Sequence, residues 1–198
     1  SNTTGHSNTT VGWATFLNNT TGNYNASFGY EALRRNTTGS YSTAFGACAL
    51  YCNTTSGYND AFGMGALCTN NGGCHNVAVG GVALRYNTTG CKNTSSGHYS
   101  MGKNTTGTFN VAYGFYALVC NTTATGNTAT GACSLYANTT GAQNTASGYR
   151  AMASNTCGYD NTAMGWSALR DNTCGYNNIA VGRQALYANT IAVDNVAV

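Results

Sequence analysis

Asn172-Thr173-Cys174-Gly175-Tyr176-Asn177-Asn178-Ile179-Ala180-Val181-Gly182-Arg183-Gln184-Ala185-Leu186 is one copy of a pattern that fills the chain. Counted from its first asparagine, the unit reads N-T-T-G-x-x-N-T-A-x-G-x-x-A-L-x-x and recurs every 17 residues without a slip. Position one falls at Asn2, Asn19, Asn36, Asn53, Asn70, Asn87, Asn104, Asn121, Asn138, Asn155, Asn172 and Asn189, giving eleven full units and the start of a twelfth. Position two is Thr except at Asn71, and position seven is Asn except at Ser42. Position eleven is Gly in every unit that reaches it, from Gly12 to Gly182. Position fifteen is Leu, Met or, once, Phe16, and position nine is always Ala, Ser or Thr.

A unit this short cannot bury an apolar face by itself and must stack on its neighbours. Helical repeats need about 33 to 47 residues, and leucine-rich repeats carry several leucines in 20 or more. One reliable leucine in 17 residues suits one coil of a β-solenoid. The expected fold is therefore all-β, a parallel β-solenoid or β-roll of about twelve coils, with residues 1–198 forming one repeat array. The chain opens inside a repeat, and it is expected to be a piece of a longer ordered chain.

The strand is expected at positions seven to eleven, as in Asn178 to Gly182. Side chains alternate along a strand. The uniform positions seven, nine and eleven should face inward, and the variable positions eight and ten outward. Leu at fifteen would then pack against small residues across a thin core. Gly or a small residue at position four is expected where φ turns positive. Position ten is apolar in nine of twelve units, for example Phe28, Phe45, Phe62 and Met164. An exposed row of that kind calls for cover by another chain; the other reading is that this row is itself the core. The absence of proline fits a ladder in which every amide has a partner.

The Asn rows have a direct reading. Stacked strands repeat at about 4.8 Å, so like amides can bond to one another along the axis. The same residues carry a second one, because N-x-[ST] begins at Asn2, Asn19, Asn36, Asn53, Asn87, Asn104, Asn121 and Asn138. If these are glycosylated, the chain is a sugar-coated filament. A glycan is roughly twice as wide as the spacing of about 4.8 Å between coils, so one straight row could not carry a glycan on every coil.

Composition narrows the function. Lys, Arg, Asp and Glu total 13 of 198 residues and the net charge is +3, without the clustered basic face of a nucleic-acid binder. The longest apolar stretch, Val111 to Cys120, is too short to insert in a membrane as a helix. The five acids (Glu31, Asp60, Asp160, Asp171 and Asp194) form no pair on one row of adjacent units, so acid/base catalysis has no seat. His6, His75 and His98 fall on different rows or distant units. No enzyme activity, metal or cofactor is expected. Among the nine cysteines, Cys74 and Cys91, and Cys157 and Cys174, are each one repeat apart. Either pair is placed to staple neighbouring coils in an oxidising compartment, or to remain as thiols in place of Thr or Ser. Position twelve carries Trp13, Tyr30, Phe115, Tyr149 and Trp166, which suit either stacking on sugars or packing on a partner.

The strand segment Asn-Ile-Ala-Val-Gly at 178–182 resembles the head repeats of trimeric autotransporter adhesins. The whole unit is similar to repeats of phage and bacterial tail-fibre proteins, over nearly the full chain. The resemblance implies a β-solenoid, commonly trimeric, in an extracellular fibre on a cell or virion surface. The expected role is thus a rigid structural subunit that self-associates into a trimer or filament. The alternatives are an adhesin or receptor-binding segment that contacts surface glycans, a glycosylated filament, and an ice-binding solenoid that uses the Thr row at position two.

Overall fold

A computed structural model describes residues 2–198. Each coil contributes one short strand at positions eight to ten. These are β1 (Thr9–Val11), β2 (Ala26–Phe28), β3 (Thr43–Phe45), β4 (Asp60–Phe62), β5 (Val77–Val79), β6 (Thr94–Ser96), β7 (Val111–Tyr113), β8 (Thr128–Thr130), β9 (Thr145–Ser147), β10 (Thr162–Met164), β11 (Ile179–Val181) and β12 (Val196–Ala197). They form one parallel twelve-stranded sheet in chain order. Each residue pairs with the one a full repeat away, as Ala112 does with Ala129. The chain is a parallel β-solenoid with a 17-residue coil.

The strands are shorter than the five residues expected, for reasons at each end. The position-seven amide leaves the strand ladder and donates to an Asn side chain in the coil before, as Asn110 N–H does to Asn93 Oδ1 at 3.0 Å. At position eleven the glycines adopt φ between +121° and +138°, outside the β region open to other residues. A Cβ on Gly114 would also meet the carbonyl carbon of Gly131 at 2.7 Å. Both conformation and close approach therefore require glycine there.

The other residues of each coil stack as turns rather than strands. Their amides bond to the next coil or the previous one, as Leu118 N–H does to Ser134 O at 2.9 Å and Cys133 N–H to Phe115 O at 3.0 Å. The corners use the left-handed region at positions six, thirteen and fifteen. Tyr24 (φ 55°), Glu31 (54°) and Leu33 (49°) show this in one coil. Position four, where a positive φ was expected, does not use it. Its glycine serves close approach instead: a Cβ on Gly22 would meet Asn19 Oδ1 at 2.5 Å.

The core is three columns wide. Ala at position nine, Ala at fourteen and Leu or Met at fifteen are fully buried from coil to coil, as in Ala112, Ala117 and Leu118. Where a coil has Ser at nine, the hydroxyl reaches the carbonyl at fourteen, as Ser95 does to Ser100 O at 2.8 Å. Positions eight and ten face outward, with Phe45, Phe62 and Tyr113 exposed. The apolar row at position ten is therefore surface, not core.

Candidate functional site

The repeat places two asparagine columns inside the solenoid. At position one, Nδ2 of each Asn donates to Oδ1 of the Asn one coil earlier. The chain of bonds runs unbroken from Asn189 to Asn2. The same Nδ2 donates its second hydrogen to the position-four carbonyl of its own coil, as Asn36 does to Gly39 O at 2.9 Å. At position seven, Oδ1 accepts both the backbone and the side-chain N–H of the next Asn, at 3.0 and 3.2 Å for Asn110 onto Asn93. Its Nδ2 crosses to the position-four carbonyl of the following coil, as Asn93 does to Gly107 O at 2.8 Å. The two columns thus grip one carbonyl between them. Among the described residues, no buried side-chain polar atom lacks a partner.

This geometry bears on the sequons. Asn19, Asn36, Asn53, Asn87, Asn104, Asn121 and Asn138 are fully buried, and Nδ2, the atom a glycan would take, spends both hydrogens inside the coil stack. A glycan on any of them has no room in the folded array. Asn2, in the first coil, is exposed. The sequon is a local pattern, whereas burial is set by the neighbouring coils.

The Thr row at position two is also engaged. Its hydroxyls donate to the position-two carbonyl of the next coil, as Thr105 does to Thr122 O at 3.0 Å. The outward threonines are instead at position three, among them Thr21, Thr38, Thr106 and Thr123.

The position-twelve aromatics form separate pairs, because Ala47, Gly81 and Ala132 interrupt the row. Trp13 lies on Tyr30, ring centres 5.1 Å apart and 10° from parallel. Phe115 lies on His98 at 5.8 Å. Trp166 sits between Tyr149 at 6.4 Å and the Arg183 guanidinium at 5.1 Å. Sequence reasoning missed a longer ladder at position six. There Tyr24, Tyr41, Tyr58 and His75 stack at 5.1, 5.0 and 4.8 Å, all within 12° of parallel. Its signal was the spacing of three tyrosines by one repeat. In both rows the stacked rings turn a face toward a neighbouring coil, and Trp13, at the start of its row, stacks on Tyr30 alone.

The two cysteine pairs both meet. Cys157 and Cys174 are joined as a disulfide across adjacent coils, Cα atoms 4.8 Å apart. Cys74 and Cys91 hold their sulfurs 2.8 Å apart as thiols. That hydrogen bond, burial and the neighbouring Cys91 push the Cys74 thiol up to about 11. Among the described residues no three His, Cys, Asp or Glu side chains converge on a metal-sized site. A shallow cleft of 540 Å³ opens where small residues (Ala137, Ala153 and Ser154) follow Tyr136. Its Arg170 is already held by Asp171, at 2.8 and 3.1 Å, and by the Tyr187 ring.

No family model, curated protein or solved structure matches the chain. The likeness of its repeat unit to adhesin heads and tail fibres stands without such a match, and the functional reading comes from the residues themselves.

Proposed function

We propose that the chain is a rigid structural segment of an extracellular fibre, serving as a scaffold rather than as a catalyst. One observation carries the reading: the position-one asparagine bonds run through all twelve coils without a gap. Such a ladder specifies register, since a slip of one residue would leave buried amides unpartnered. It also stiffens the axis, because bending opens the side-chain bonds together with the backbone bonds. The cross-coil disulfide of Cys157 and Cys174 favours an oxidising, external compartment.

The glycan-contact reading draws less support. Sugars stack on open aromatic faces; Trp166 is flanked on both sides by Tyr149 and Arg183, and among the candidates only Trp13, stacked on Tyr30 alone, is as much as 65% exposed. The scaffold reading predicts that a gold-labelled antibody against the chain decorates filaments on the outside of intact source cells or particles. Label found only after permeabilisation would overturn it.

A further inference from the structure

The outer face of the sheet, with the row just past it, carries most of the exposed large apolar side chains. The face is made by positions eight and ten, and the exposed position-twelve side chains follow just past the strand ends. Sixteen of the 25 exposed large hydrophobic side chains among the described residues lie at these three positions. Phe45 (56% exposed), Phe62 (41%), Tyr113 (47%) and Met164 (48%) run down the middle, with Trp13 (65%) and Trp166 (43%) along one side. Only two of the chain's charged residues, Asp60 and Arg183, fall at these positions.

We infer that this face docks on the same face of a second copy of the chain, giving two parallel sheets packed as a sandwich. The inference deepens the scaffold reading by naming its partner. Size is the first argument. Twelve strands spaced about 4.8 Å, each of three residues at about 3.3 Å rise, make a strand face of roughly 570 Å². Two such faces bury about 1,100 Å² in total, above the roughly 1,000 Å² that a specific interface needs. Charge is the second. An acidic or basic partner would need complementary charge on this face, and it has almost none; a like face of the same chain meets no charge repulsion beyond Asp60 and Arg183. Shape is the third. Three-residue strands paired in one constant register stack like positions in rows, which can interdigitate with equal rows across about 10 Å.

Sedimentation velocity on the intact chain tests this. The wild type should sediment as an elongated dimer. The triple variant Phe45→Lys, Tyr113→Lys and Met164→Lys should sediment as a monomer with an unchanged far-UV spectrum, because these side chains point outward. The charge-matched control Thr38→Lys, Thr106→Lys and Thr123→Lys, on the position-three row, should remain dimeric. A second readout needs no variant. Trp13 and Trp166 are the only tryptophans and both border this face, so tryptophan emission of the wild type should shift to the red on dilution through dissociation. A monomeric wild type, a trimer, a dimer that survives the three lysines, or emission independent of concentration would overturn the inference. A monomer that is still rod-shaped defeats only the docking face; a compact, non-rod particle defeats the scaffold reading as well.

Discussion

Asn104 gives one Nδ2 hydrogen to Asn87 at 2.8 Å and the other to Gly107 O at 3.1 Å, and its Oδ1 accepts from Asn121 at 2.7 Å. A buried amide is costly unless it is fully partnered, so each residue of this column depends on the next. Asn104→Ala removes all three bonds and leaves Asn87 Oδ1 without its donor and Asn121 Nδ2 without its acceptor. The expected loss is about 3 kcal/mol of unfolding free energy, read by denaturant melts. Thr106→Ala, on the exposed row two residues on, should stay within about 0.5 kcal/mol. Equal effects of the two substitutions would contradict the ladder account. The same column explains why the N-x-[ST] pattern misleads: it describes three neighbours in sequence, while the space around Nδ2 is set by residues 17 away.

At the scale of the single coil, much was legible and some was not. The inward Ala at position nine, the buried Leu at fifteen and the outward row at ten follow from alternation and from which positions tolerate variety, Asp60 among them. The corners did not follow. Tyr24, Glu31 and Leu33 all sit in the left-handed region, yet none has a local preference for it. Stacking of amides between coils imposes that conformation, and Gly65 and Gly126 are the only places where these corners carry the residue that adopts it freely. The tyrosine ladder at position six does not follow from strand alternation, because its residues stand on a left-handed corner before the strand.

A coil also holds a testable pH response. The Cys74 thiol is raised in the folded chain, from about 9 to about 11, chiefly by its hydrogen bond with Cys91. A raised thiol favours the neutral form, so its contribution is complete below about pH 9 and is lost as pH climbs through about 11. Under reducing conditions the melting temperature of the wild type should therefore fall more steeply between these limits than that of Cys74→Ser. Parallel slopes would show that the contact contributes nothing.

Across the whole molecule, one sheet, two asparagine columns and a thin Ala-Leu-Ala core repeat without a cap or insertion among the described residues. Stability in such an array is close to a sum of neighbour contacts, so stiffness follows from uniformity rather than from any one coil. Every 17 residues advance the chain by one strand spacing. Cryo-electron microscopy of aligned particles measures that advance directly. The account predicts a strong axial repeat near 4.8 Å, the spacing of stacked strands, with one coil per repeat. A longer axial repeat with no signal at that spacing would contradict the solenoid, open the buried Asn columns to solvent and return the sequons to contention.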